Sequence, residues 1–175
     1  MTNLEIINLL QRITGMLALG LITLQIYLGA NRKAIWLHKM NGILAYVFVF
    51  LHPLLLVGYD YVAFGRFDPL YVFVDVCLLC DSVRESLINF GRIAFYLVTT
   101  AVIAIKFREF NSWLKVNWRK LHVLNYLAFY FVSFHSIKIG TDSTSSLFLV
   151  YFAFCQIVVL ISIFNKIKPK IFKQV

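Results

Sequence analysis

The chain has 175 residues, of which 61% are hydrophobic and 14% are charged, and its mean hydropathy is +0.79. A soluble domain is close to half apolar, so this composition excludes an ordinary soluble protein and predicts an integral membrane protein. The net charge of +9 does not predict nucleic-acid binding, because the basic residues lie in short segments beside long apolar runs. Since a spanning helix needs about 20 apolar residues, the length allows about five helices and leaves no room for a nucleotide-binding domain.

Five apolar runs predict an all-α bundle that forms a single domain over residues 1–175. In chain order, the predicted membrane helices are about 9–30, 38–57, 91–107, 120–137 and 146–164. The first run lacks the basic segment that precedes the apolar part of a signal peptide, and Arg32 and Lys33 follow it directly. We therefore expect a retained helix rather than a cleaved leader.

Charged residues alternate between the connections in a way that predicts orientation. The connections after the first and third helices and the C-terminal tail are basic, with Arg32, Lys33, Lys39, Lys106, Arg108, Lys115, Arg119, Lys120, Lys166, Lys168, Lys170 and Lys173. The connection after the second helix is mainly acidic, with Asp60, Asp68, Asp75, Asp81 and Glu85. Because basic connections face the cytoplasm, the N-terminus is predicted outside and the C-terminus inside, in a multi-pass protein of the plasma membrane.

The connection over residues 58–90 is long and contains an apolar stretch, residues 69–80, that is too short to span. We expect an interfacial or re-entrant segment over the outer face. Cys77 and Cys80 lie there as a C-x-x-C pair, for which packed thiols or an incidental disulfide are favoured over dithiol chemistry because no thioredoxin-like context surrounds them. Cys155, inside the fifth run, is predicted to pack in the core.

All four histidines lie in two of these runs, His38 and His52 in the second and His122 and His135 in the fourth. His38 and His52 are 14 residues apart, about 21 Å along a helix and within roughly 40° of whole turns, so both rings leave nearly the same face. Both helices start from a basic connection and run in the same direction. His38 should therefore lie level with His122, and His52 level with His135. Each pair could bind an iron from opposite sides, which predicts two b-type haems stacked across the bilayer.

The 13-residue spacing of His122 and His135 does not suit a straight helix, because it leaves the two rings about 140° apart. The fourth helix must bend or be irregular, or the two haems must be offset. A hydrogen-bonded polar role is the alternative for any single histidine, but ionisable groups at membrane depth usually have a function. Ligation of iron by two histidines leaves no open position, which suits electron transfer.

These residues resemble the ferric-reductase-type transmembrane domain, which is shared by NADPH oxidases, ferric reductases and the haem subunit of periplasmic methionine-sulfoxide reductase. The resemblance covers roughly residues 9–165 and rests on H-K-x-x-G from His38, H-P from His52, W-x-x-x-H ending at His122, and His135 thirteen residues later. It implies that His38 and His122 bind an inner haem and that His52 and His135 bind an outer haem. It also implies that Arg12 lies near the propionates of the outer haem, where the alternative is an interfacial basic residue.

Other basic residues are candidates for contact with haem propionates. Lys39, Arg119 and Lys120 flank the inner pair and could meet propionates or an acidic donor protein, although the positive-inside rule is the favoured explanation for them. Arg92, at the outer start of the third helix, is a candidate for an outer propionate.

The predicted function is transmembrane electron transfer by a di-haem b-type cytochrome, an oxidoreductase component that accepts electrons from a cytoplasmic or quinol donor. The acceptor would be external, such as ferric iron or a reductase partner. No Gly-rich phosphate loop occurs in the 175 residues, so FAD and NADPH are expected only through a partner such as a separate flavoprotein. Two alternatives are a haem-binding anchor subunit of a quinol-linked enzyme and a haem-free membrane transporter or structural protein. Membrane lipid is an expected contact in every case, and nucleic acid is not.

Overall fold

The computed structural model describes residues 1–31, 34–77, 82–140 and 142–171, with side chains described to residue 167. Within these ranges the protein is all-helical. The helices are α1 (Asn3–Asn31), α2 (Ile35–Phe64), α3 (Pro69–Phe73), α4 (Val83–Lys106), α5 (Ser112–His122), α6 (Leu124–Ile139) and α7 (Ser146–Ile171).

Four of the described helices are long and apolar enough to cross a membrane: α1, α2, α4 and α7 over Ser146–Ile167. Their outward faces are apolar, and side chains such as Ile43 and Val150 are 65% and 69% exposed, which suits a surface in contact with lipid. The chain is therefore a multi-pass membrane protein. Its orientation and the identity of its membrane stay predictions from the charges.

The predicted fourth span, residues 120–137, is divided between two helices. α5 ends at His122, and α6 begins at Leu124 and has 16 residues, about 24 Å of helix. The hydrocarbon core is about 30 Å thick, so α6 alone falls short of it. The predicted count of five spans is therefore not established, whereas the irregularity required by the 13-residue histidine spacing is present at Val123.

The long helices extend beyond the predicted apolar runs. α2 has 30 residues, about 45 Å. The apolar run marks only the part of α2 that suits the hydrocarbon core, whereas the helix continues to Phe64. Gly65 follows it with a φ of 67°. α4 begins at Val83 rather than near residue 91, because the Ser82 side chain caps it by accepting from the Glu85 backbone N–H. Polar first turns of this kind leave no signal in a hydropathy pattern.

Two buried apolar clusters hold the bundle together. The larger contains Leu19, Ile22 and Ile26 of α1 with Phe129, Cys155 and Val159 from α6 and α7. The smaller contains Ala94 and Val98 of α4 with Ala128 of α6, and its small side chains allow these two helices to approach closely. Cys155 is free and buried, as predicted.

The connection between α2 and α4 contains α3, a single short helix that Asp68 caps by accepting from the Tyr71 backbone N–H. Arg92 of α4 is 6% exposed and donates to the carbonyls of Val72 and Tyr71 at 3.2 and 2.5 Å. Buried Arg92 therefore anchors α3. Cys77 is disulfide-bonded, and Cys80 lies outside the described residues.

Candidate functional site

The structure brings the four histidines together in two pairs, each joining α2 to the α5–α6 segment. The outer pair, named for the predicted orientation, is His52 and His135, whose ring centres lie 6.3 Å apart with ring planes at 88°. The inner pair is His38 and His122, whose ring centres lie 5.9 Å apart with ring planes at 84°. The pairing deduced from spacing and helix direction is thus the pairing that the fold makes.

Main-chain carbonyls orient both rings of the outer pair. Nδ1 of His52 lies 2.9 Å from the Gln11 carbonyl oxygen, and Nδ1 of His135 lies 3.2 Å from the Leu87 carbonyl oxygen. A carbonyl oxygen can only accept, so each Nδ1 carries the proton and each Nε2 keeps its lone pair. Metal-binding histidines are commonly oriented in this way, by donating the N–H of the other ring nitrogen to a carbonyl oxygen. Within the described residues, neither ring makes a further hydrogen bond.

Glycines on the neighbouring helices make room for these rings. A Cβ at Gly15 would lie 2.9 Å from Cε1 of His52, and a Cβ at Gly91 would lie 2.9 Å from Cε1 and Nδ1 of His135. Each glycine stands four residues after the residue whose carbonyl accepts from that ring, Gln11 or Leu87. The two outer histidines are therefore seated in the same way, by a glycine and the carbonyl one turn before it.

In the inner pair, His38 packs against a glycine, whereas His122 lies at a helix break. A Cβ at Gly29 would lie 3.1 Å from Cε1 of His38. His122 is the last residue of α5, and its Nδ1 lies 3.2 Å from the side-chain nitrogen of Asn125. The break at Val123 lies between His122 and His135, and both rings pack against histidine rings of α2.

Packing of α1 against α2 explains why the seats fall where they do. Gly15 and Gly29 are 14 residues apart, as are His38 and His52 on the antiparallel helix. Because both spacings are 14 residues, Gly15 lies opposite His52 and Gly29 lies opposite His38. Gln11 and Gln25 have the same 14-residue spacing, one turn before the glycines. The repeat Q-x-x-x-G, at 11–15 and again at 25–29, was therefore a readable signal, although its meaning depends on the partner helix.

Each pair supplies two nitrogen ligands and no more. Across the described part of the chain, no group of three or more His, Cys, Asp or Glu side chains could hold a metal ion. A bare metal would be under-coordinated at either pair, whereas haem supplies four nitrogens and needs two axial ligands. Two imidazoles on opposite sides of one metal, with bonds of about 2 Å, have ring centres about 6 Å apart. The observed spacings fit this geometry.

Arg12 lies next in sequence to Gln11, at the outer pair's end of α1. It forms an ion pair with Asp142, beyond the end of α6, through two of its guanidinium nitrogens. The structure thus places Arg12 near the outer pair and gives it a carboxylate partner. Its predicted contact with a propionate stays a prediction.

The remaining basic candidates are placed differently from one another. Lys39, Arg119 and Lys120 are exposed, as the positive-inside reading expects. Arg92 is committed to α3 by its hydrogen bonds to Val72 and Tyr71, which explain its burial without a propionate.

Three polar residues near the inner pair were not singled out from the sequence. The Gln25 side chain lies 3.1 Å from Nε2 of His38, and Asn41 in turn donates to the Gln25 side-chain oxygen at 2.9 Å. Lys166 of α7 lies over the ring of Tyr126, four residues after His122, at 4.9 Å. Polar residues inside otherwise apolar helices were the signal for Gln25 and Asn41.

Comparisons with known proteins add no identification. No protein-family model, curated protein or solved structure matches this chain. The resemblance to the ferric-reductase-type domain therefore rests on the histidine motifs and their spacing.

Proposed function

We propose that this protein is a di-haem b-type cytochrome that carries electrons across a membrane, with iron held by His38 and His122 in one haem and by His52 and His135 in the other. The observation that carries the proposal is the pair of ring-centre spacings, 5.9 and 6.3 Å. Both agree with the roughly 6 Å required by two imidazoles on one metal. The 14-residue step between His38 and His52 separates the two pairs by about 21 Å of helix, enough to place one near each side of the bilayer.

The chain's own residues have defined tasks in this function. Haem would supply the one-electron iron couple. The carbonyls of Gln11 and Leu87 hold the Nδ1 protons of His52 and His135, which leaves the Nε2 lone pairs for binding. Gly15 and Gly91 let those rings approach the helices, and the apolar bundle keeps water from the site. Two histidines per iron leave no position for substrate, so the residues favour electron transfer over binding chemistry.

In this proposal the electron donor and the electron acceptor are separate molecules. Electrons would enter at the inner pair from a cytoplasmic flavoprotein, which would carry any FAD and NADPH, or from a membrane quinol. They would leave at the outer pair toward an external acceptor such as ferric iron or a reductase partner. The exposed basic residues Arg119 and Lys120 beside His122 support docking of an acidic donor on the cytoplasmic face of the plasma membrane.

Four single histidine variants test the proposal. His52→Ala and His135→Ala should each remove the same haem, and His38→Ala and His122→Ala should each remove the other. Haem per chain and the reduced-minus-oxidised spectrum of detergent-purified protein report the losses. Gln156→Met is the control, because Gln156 donates to Ser133 and lies on α7, which carries none of the four histidines. Loss of different haems in His52→Ala and His135→Ala would disprove the pairing.

A further inference from the structure

The inner histidine His38 differs from the outer histidines in what surrounds its ring. His52 and His135 each bond a main-chain carbonyl through Nδ1. The His38 Nε2 instead lies 3.1 Å from the side-chain nitrogen of Gln25, and its Nδ1 is buried with no hydrogen-bond partner among the described residues. The carbonyl of Gln25 also interacts with this ring, although it does not meet hydrogen-bond geometry.

A chain of hydrogen bonds fixes the direction of the Gln25 amide. The side-chain nitrogen of Asn41 donates to the Leu21 carbonyl oxygen at 2.9 Å. Since a carbonyl can only accept, that atom of Asn41 must be the nitrogen, and it also donates to Gln25 at 2.9 Å. The atom of Gln25 that faces Asn41 must then be its oxygen.

The orientation of Gln25 determines the tautomer of His38. With its oxygen turned to Asn41, Gln25 presents its N–H group to Nε2 of His38, which must accept. The proton of His38 then lies on Nδ1, the same tautomer that the outer histidines adopt. His38 thus has the lone pair that iron needs, but the Gln25 amide already uses it.

The surroundings hold the amide in this place. Asn41 is 5% exposed, so its tether to Gln25 is shielded from water. Gly42 leaves the space that the amide fills, because a Cβ there would lie 2.9 Å from the Gln25 nitrogen. Gln11, the equivalent residue in the 14-residue repeat, contributes its carbonyl to His52, while its side chain makes no hydrogen bond within the described residues.

We propose that Gln25 competes with the inner haem iron for the Nε2 lone pair of His38, so that the inner haem is held less firmly than the outer haem. The inference rests on the proposed function. One amide hydrogen bond must be broken for His38 to bind iron, whereas His52 and His135 keep their hydrogen bonds when they bind.

The test measures how haem partitions between the purified holoprotein and added apomyoglobin. The fraction that is absent from His38→Ala reports the inner haem. Gln25→Leu removes the competing donor and introduces no group that can bind iron, and it should tighten inner haem binding roughly three- to tenfold, the equivalent of one hydrogen bond. Asn41→Leu, which releases the tether of Gln25, should act in the same direction with a smaller effect.

Gln156→Met serves as the control and should leave both haems unchanged. Weaker or unaltered inner haem binding in Gln25→Leu, with a monodisperse protein, overturns the inference, because a supporting partner would weaken binding when removed. If Gln25→Leu does not fold, the direction of the change in Asn41→Leu decides. A wild-type protein without haem overturns the proposed function itself, so the two failures are distinguishable.

Discussion

Substitution of Gly15 by alanine tests the seat of the outer pair. The added Cβ would lie 2.9 Å from Cε1 and 3.0 Å from Nδ1 of His52, whereas carbon atoms prefer separations of about 3.5–4.0 Å. The ring must therefore move by about 0.5–1 Å. That movement stretches the 2.9 Å bond from His52 to the Gln11 carbonyl beyond hydrogen-bond range.

The cost of this movement has two parts. Overpacking costs about 1–3 kcal/mol, and a lost hydrogen bond costs about 1 kcal/mol. Together they reach about 2–4 kcal/mol, which corresponds to a roughly 30- to 700-fold loss of outer haem affinity. Gly15→Ala should therefore purify with about one haem per chain, and the spectrum should lack the component that His52→Ala also lacks.

Gly58 provides a matched control on α2. A Cβ at Gly58 meets no described atom within 4 Å, so Gly58→Ala should keep both haems and gain up to about 1 kcal/mol from helix propensity. Equal haem content in Gly15→Ala and Gly58→Ala would refute the reasoning.

Three further predictions concern the inner pair, the outer connection and the ion pair. Insertion of one alanine after Val123 turns His122 by about 100° relative to His135. The reduced-minus-oxidised spectrum should then lack the inner haem and retain the outer haem. Loss of both haems would contradict this prediction. Arg92→Met should destabilise the protein by about 1–3 kcal/mol in thermal unfolding, because buried carbonyls of α3 lose their donor. The exposed Arg84→Met should change little, and similar effects of the two variants would contradict the anchoring role. Asp142→Ala should cost less than about 1 kcal/mol, because Arg12 is 40% exposed in this ion pair; a larger loss would show that the pair does more than join α1 to the segment after α6.

The histidine pairing could be predicted because it depends on spacing and direction alone. The 14-residue step, the two basic connections and the period of the helix together place His38 beside His122 and His52 beside His135. The 13-residue step predicted either an irregular fourth helix or an offset between the two haems, and the chain breaks at Val123. Its exact place could not be predicted, because the apolar run continues through it.

Most contacts between helices could not be predicted from the sequence. The seats at Gly29 and Gly91 depend on which residues of antiparallel helices face one another, and no pattern within one helix states this. The tether from Leu21 through Asn41 to Gln25 needs the same knowledge. The anchoring of α3 by Arg92 could not be predicted for a related reason, because α3 folds back to supply carbonyl acceptors that hydropathy does not reveal.

The most direct test of the central claim is the haem content of the wild-type protein. Detergent-purified protein should contain two b-type haems per chain, and its reduced-minus-oxidised spectrum should show low-spin iron in both, as ligation by two histidines requires. A colourless protein would contradict the account, and so would a single haem that persists in both His38→Ala and His52→Ala.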